Sequence, residues 1–320
     1  MLYSVYGLCV DINPLLSGLA PAHDDRPPDL VVRLGPIDDN EHPDSPSPGT
    51  LWYHSEWLDD LTGEPGLKIH RSPADGSFTV RYADGVEFSI DASGNQVVGR
   101  WPSSSSVEDA ATYLTGPVFG FLLRMRGIVS LHASVIEIGG SAVALVGDTG
   151  AGKSTTAAMF ARLGHDVITE DVAALTDVAG GLMVRSGYAD IALWPEAVTL
   201  LYGSSDALPR FMPGWEKRRL DLVAIGAFAA RSVPLGAVYL LADRGEHPDA
   251  PCVSPVSSGD AMVKLLGNIY GNRMFHEELR VHELDIIHRI VGTVPVKAAA
   301  AGADGSTLER FCEVILDDVS

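Results

Sequence analysis

The sequence predicts an α/β protein: a phosphate-loop domain preceded by a β-rich N-terminal domain. Three observations predict it. The run Gly147-Asp148-Thr149-Gly150-Ala151-Gly152-Lys153-Ser154-Thr155 fits Gly-x-x-x-x-Gly-Lys-[Ser/Thr] and lies between a strand-like and a helix-like segment. From Ser130 onward, strand and helix patterns alternate. Residues 1 to about 100 instead show short apolar runs punctuated by turn signals. A chain of 320 residues suggests two domains, or one large one with an appendage; the patterns divide it at 1–102 and 107–320.

The N-terminus, Met1 to Leu8, has no basic n-region, and Asp11 interrupts its apolar stretch, so it reads as a first strand and not as a signal peptide. Ala20 to Pro48 is rich in Pro and Asp and reads mainly as loop, with the apolar run Leu30-Val31-Val32-Arg33-Leu34 inside it. Lys68 to Arg71 and Ser77 to Tyr82 flank the turn signal Ala74-Asp75-Gly76. Val86 to Ile90 alternates, and Asp91-Ala92-Ser93-Gly94-Asn95 turns the chain again. No catalytic cluster is visible in this half. Trp101 to Ser106 reads as a connector, with a helix from Val107. Tyr113 to Leu123 is apolar but contains Gly116 and Pro117, and it falls short of the roughly 20 residues a membrane helix needs. It reads as a buried helix ending at Arg124 and Arg126. Leu131 to Ile138 and Ser141 to Val146 read as two strands, Thr155 to Leu163 as a helix ending at Gly164, and Asp166 to Thr169 as the next strand. Helices near Gly259–Tyr270 and Arg273–Val291, a strand at Val294-Pro295-Val296 and a helix near Ser306–Leu316 complete the chain.

Composition narrows the function classes. The chain is 46% hydrophobic, enough for a sizeable core. Its 23 basic and 42 acidic residues leave a net charge of −19, which argues against nucleic-acid and anionic-membrane partners. Cys9, Cys252 and Cys312 form neither a metal pattern nor a disulfide framework, which fits a reducing cytosol.

The phosphate loop predicts nucleoside triphosphate binding. Its glycines let consecutive backbone N–H groups curl around phosphate oxygens, and the following helix N-terminus favours anions. Lys153 can reach the β- and γ-phosphates, and Ser154 can bind Mg²⁺. Two further features converge on it. Gly139-Gly140 is a tight hairpin signal; in that register Ile138 faces Ser141, Ile136 faces Val143, and His132 faces Gly147. His132 can then stabilise charge or move a proton, or it simply caps the sheet edge. The short crossover after Gly164 makes the next strand parallel to the one before the loop, so Glu170-Asp171 opens on the same sheet edge. One acid can hold Mg²⁺ and the other can orient or deprotonate an acceptor hydroxyl. Adjacent strand residues point oppositely, so only one faces the metal unless the strand has ended. Trp215-Glu216-Lys217-Arg218-Arg219 is the densest basic cluster; Lys217 and Arg218 are either a phosphate or substrate clamp or part of a solvated turn, and Arg210 is a weaker candidate. His276, His282 and His288 lack zinc-helix spacing and read as surface or interhelical residues.

At His132, Gly147 to Thr155, and Glu170-Asp171 after Gly164-His165, the chain resembles the catalytic domain of HPr kinase/phosphorylase. The resemblance implies the fold shared with phosphoenolpyruvate carboxykinases, ATP and Mg²⁺ as cofactors, and phosphorylation of a hydroxyl. Tyr6-Gly7-Leu8, Thr115 to Phe121, Gly187-Tyr188, Leu193-Trp194-Pro195 and Trp215 to Arg218 are similar to a branch of that family found beside lasso-peptide biosynthesis genes. Members of that branch phosphorylate a serine, typically at the C-terminus of a lasso-peptide precursor. The family's usual pair is two aspartates, whereas Glu170 stands first here. Its metal-binding glutamate about 25 residues later has no clear match, Asp190 being the nearest acid. These departures count against the phosphorylase reaction and against HPr as acceptor.

The expectation is a cytoplasmic bacterial serine kinase acting on a peptide, with Lys153 on the phosphates, Ser154 and one of Glu170 and Asp171 on Mg²⁺, and Asp171 as base assisted by His132. The alternatives are a kinase of a free amino acid or small metabolite, an HPr-type protein serine kinase, and a nucleotide-sensing module without transfer. Homo-oligomerisation stays open.

Overall fold

A computed structural model describes the chain except for Ser17 and residues 23–25, 38–48, 60–61, 213–214, 243–246 and 275–278. His276 lies outside the described residues. The chain divides into two compact units, 1–126 with 273–275, and 127–272 with 276–320.

The first unit is built on strands β1 (Leu2–Val5), β2 (Leu8–Asn13), β3 (Ala20–Pro21), β4 (Leu30–Pro36), β5 (Thr50–His54), β6 (Leu67–Arg71), β7 (Phe78–Tyr82), β8 (Glu87–Ile90) and β9 (Gln96–Trp101). They form one sheet in the order β3-β1-β2-β4-β9-β8-β7-β6-β5. The expected first strand is in fact a hairpin. Tyr6 and Gly7 both have positive φ, 51° and 73°, which is the two-residue turn that matches strand twist. A tyrosine in that position is uncommon, so no Asn-Gly or Asp-Gly signal marks the turn. The β6–β7 hairpin closes around Gly76 as expected, Arg71 facing Phe78.

Ser106 caps α1 (Val107–Tyr113), with Asp109 completing the capping box. A π-turn over Leu114–Val118, containing Pro117, leads into α2 (Phe119–Met125). The sequence reading assigned these helices to the second domain. They cluster with the first unit because their aromatic rings pack there: Phe119 lies 5.8 Å from Tyr6, and Phe121 lies 5.1 Å from Phe78.

The second unit contains β10 (Ser130–Ile138), β11 (Ser141–Val146), α3 (Lys153–Arg162), β12 (Val167–Thr169), β13 (Val172–Val178), β14 (Gly181–Val184), β15 (Asp190–Leu193), α4 (Pro195–Tyr202), β16 (Arg218–Asp221), β17 (Val233–Leu241), β18 (Cys252–Pro255), α5 (Ser258–Gly267), α6 (Arg280–Thr293), β19 (Val296–Ala300) and α7 (Leu308–Val319). The ladder closes on itself through β11-β10-β13-β14-β17, because β11 also pairs with β17; β19 and β18 extend it. β11, β17 and β19 are parallel, and the remaining pairs of this sheet are antiparallel. Residues of β11 alternate between two cores. Val143 and Leu145 join Phe160, Tyr239 and Phe311, while Ala142, Ala144 and Val146 join Val135, Val238 and Ile287. A strand buried on both faces carries an unbroken apolar run, as 142–146 does. Among the described residues no helix is long and apolar enough to cross a membrane.

Candidate functional site

The hairpin register is the one the Gly139-Gly140 turn predicts: Ile138 pairs with Ser141 and Ile136 with Val143. Both turn glycines have positive φ, 58° and 82°. The ladder ends at Ala133–Val146, which sets His132 beside Gly147. β12 pairs antiparallel with β10, so it runs parallel to β11 with β10 between them. Glu170-Asp171 therefore leaves the sheet at the same edge as the phosphate loop.

Local chemistry shapes that loop. A Cβ at Gly147 would lie 3.1 Å from the Ala151 Cβ and 3.2 Å from the Leu241 Cβ, tight contacts that glycine avoids where β11 turns close to β17. Gly150 and Gly152 have φ of 89° and 99°, and Gly152 caps α3. The first turn of α3, from Lys153 through Thr155, presents backbone N–H groups that lack intrahelical acceptors. Lys153 Nζ donates to the carbonyls of Gly147 at 2.7 Å and Asp148 at 3.1 Å. Burial pushes its pKa down, opposed by the charges of Asp171, Glu170 and Asp148.

The two acids have separate partners. β12 ends at Thr169, and Asp171 adopts a left-handed φ of 66°, so strand alternation no longer applies. Glu170 is buried, and its Oε1 accepts from Ser154 Oγ at 2.6 Å; Tyr188 OH lies 3.5 Å from Oε2. Burial pushes its pKa up to about 7, and neighbouring Asp171 adds to the rise. Asp171 faces the other way. His132 Nδ1 lies 3.0 Å from Asp171 Oδ1 and 3.2 Å from its carbonyl. Both are acceptors, so Nδ1 carries a proton. Tyr270 OH donates to Asp171 Oδ2 at 3.2 Å. Burial pushes the Asp171 pKa up, but His132, Tyr270 and Lys153 outweigh it and hold the carboxyl below the usual range.

Lys217 and Arg218 separate in role. Lys217 Nζ sits 5.1 Å from the Trp194 ring and 4.7 Å from the Trp215 ring, a cation–π cradle. Its charge acts on both Glu170 and Lys153, which sets it within reach of the site. Arg218 is buried, and its guanidinium holds Ser205 O, Glu216 O and Asp206 Oδ1. That geometry engages all three of its guanidinium nitrogens within its own loop. Asp190 is paired with Arg219 at 2.8 Å across the β15–β16 ladder. No motif in the sequence marks Tyr188 or Tyr270 as a site residue. Tyr270 is 99 residues from Asp171, and only the tertiary fold joins them.

A cavity of about 290 Å³ adjoins the loop, lined by His132, Asp148, Thr149 and residues 267–271. Among the described residues no cluster of three or more His, Cys, Asp or Glu forms a metal cage. Ser154 and Glu170 nevertheless fit Mg²⁺: they are hard oxygen donors in contact, and among the described residues no cation is directly bonded to the buried carboxyl group. Mg²⁺ commonly takes one or two protein oxygens and completes its shell with water and phosphate.

No protein-family model matches the chain. Over 84 residues, 24% of this chain, it has weak homology, at 30% identity, to the HPr kinase/phosphorylase of Clostridium beijerinckii. That stretch spans 28% of the relative's own length. Superposed on the structure of the Hpr(Ser) kinase/phosphatase from Coxiella burnetii, it covers 59% of this chain and 89% of that one, at 11% identity and a TM-score of 0.33.

Proposed function

We propose that the chain is a kinase that transfers the γ-phosphoryl group of ATP, with Mg²⁺, to a serine hydroxyl of a peptide. The observation that carries this is the division of the acidic pair between separate partners: Glu170 bonds Ser154, and Asp171 bonds His132. A site that only held nucleotide would not need the second pair.

The loop amides and Lys153 hold the phosphates. Ser154 and Glu170 would hold Mg²⁺, which when bound neutralises charge on the transferred group. Asp171 orients the acceptor hydroxyl and accepts its proton, while His132 and Tyr270 fix the carboxylate. The hydroxyl oxygen bonds to the γ-phosphorus, the bond to the β–γ bridging oxygen breaks, and ADP leaves. Lys217 adds positive charge near the phosphates. Similarity to HPr kinase/phosphorylase over the 84-residue stretch supports transfer to a serine. The resemblance to the lasso-associated branch supports a lasso-peptide precursor as the acceptor. The cavity of about 290 Å³ favours a second reading, a free amino acid as acceptor, since it has room for about one residue.

Incubation with labelled ATP, Mg²⁺ and a serine-ended peptide should give a phosphopeptide. Lys153→Ala should lower the rate about a hundredfold or more. Undiminished transfer by that variant would end the kinase proposal. Label on free serine alone would favour the second reading.

A further inference from the structure

We propose that the cavity walled by residues 267–271 is the acceptor pocket, and that it takes a neutral hydroxymethyl group of the serine type. This rests on the kinase function proposed above and adds where the acceptor sits.

Position comes first. The cavity meets the phosphate loop only at Asp148 and Thr149. Residues 150–154, which form the phosphate cradle and the start of α3, do not line it. It therefore adjoins the phosphate site from the side of His132. The wall is also tied to the candidate base. His132 N–H donates to Asn268 O at 2.8 Å, Leu131 bridges to Ile269, and Tyr270 N–H donates to Ser130 O at 2.8 Å. Residues 268–270 thus lie along the start of β10, joined to it by one antiparallel bridge and two backbone hydrogen bonds. The same segment carries the hydroxyl that holds Asp171 Oδ2. Asp171 does not itself line the cavity, but His132 and Tyr270, which do, hold its carboxylate, so one segment sets both the pocket wall and the base, as alignment of an acceptor requires.

The chemistry follows from the lining. Among the described residues it includes Asp148 and no Lys or Arg, so it disfavours an anion and accepts a neutral hydroxyl group. Gly267 and Gly271 end the wall without side chains, which leaves room for a peptide backbone beside it. A volume of about 290 Å³ lies at the lower end for ligand pockets and suits one residue.

Gly267 allows a clean test. It ends α5, its φ is not in the left-handed region, and a Cβ there meets nothing within 4 Å. Gly267→Ala and Gly267→Leu should therefore fold, which thermal melting checks, and each adds volume at the cavity wall. The full chain, loaded with Mg²⁺ and a non-hydrolysable ATP analogue, is titrated calorimetrically with N-acetyl-serine amide and with free L-serine. The amide binding more tightly points to a peptide source, and serine binding more tightly points to the free amino acid. Gly267→Leu should weaken the preferred probe about tenfold or more, and Gly267→Ala less. The proposal is overturned if neither probe binds the wild-type complex, or if Gly267→Leu binds as tightly as wild type. Transfer is measured in parallel. Probe binding that Gly267→Leu weakens, with no transfer by wild type, sustains the pocket and ends the kinase reading. Transfer with an unchanged acceptor KM in Gly267→Leu sustains the kinase and ends the pocket.

Discussion

Asp171 is the residue on which most of the site turns. A non-glycine residue at φ 66° costs on the order of 1–2 kcal/mol and persists only where its surroundings hold it. Here the Ala133 N–H donates to its carbonyl at 3.3 Å, and His132 and Tyr270 take its two carboxylate oxygens. Asp171→Asn should lower kcat about 10²–10⁴-fold while leaving MgATP affinity within about twofold. Glu170→Gln should instead raise the Mg²⁺ concentration needed for half-maximal activity. If the two variants behave alike, the separation of roles is wrong. Tyr270→Phe keeps the ring and loses only the hydroxyl, so kcat should fall about tenfold with the KM for ATP unchanged. The sequence shows that an acidic pair reaches the loop, because strand direction follows from a short crossover. It does not show which acid does what. That depends on β12 ending at Thr169 and on the backbone turn at Asp171, neither of which a residue pattern encodes.

At the scale of elements, the β10–β11 hairpin was the most legible part, since a two-residue Gly-Gly turn leaves one register. The strands from β13 to β18 were harder to read. Val172 to Leu175 is buried on both faces and so shows no alternation, and β15 and β16 pair across an intervening helix. The basic cluster shows a related limit: composition reveals cations but not which are already engaged. Lys217 and Arg218 are adjacent yet predict opposite phenotypes. Lys217→Ala should lower kcat/KM for ATP about tenfold with little change in thermal midpoint. Arg218→Ala removes a buried guanidinium that holds Ser205, Glu216 and Asp206, and should cost about 1–3 kcal/mol of stability. Urea unfolding beside steady-state kinetics separates the two. Equal loss of activity without loss of stability in Arg218→Ala would return it to the site.

The whole molecule carries a built-in reporter of its two cores. Cys9 lies buried in β2 of the first unit, and Cys312 lies buried in α7 of the second. Burial pushes the Cys312 thiol up to about 12, so at neutral pH it is scarcely ionised and nearly unreactive. Cys252 is only half-buried and lies beside His247 Nδ1 at 3.3 Å. Thiol reagents need access to the sulfur, so exposure ranks Cys252 first. In native buffer a chromogenic disulfide should label Cys252 and leave Cys9 and Cys312 protected. Under rising denaturant Cys9 should report opening of the first unit and Cys312 opening of the second. On the proposed function Mg²⁺ and ATP bind the native second unit, and they should then slow Cys312 labelling more than Cys9 labelling. Peptide mapping of the labelled sites reads each thiol separately. Uniform labelling of all three in native buffer would contradict the burial, and equal protection of Cys9 and Cys312 by nucleotide would mean the two units open together.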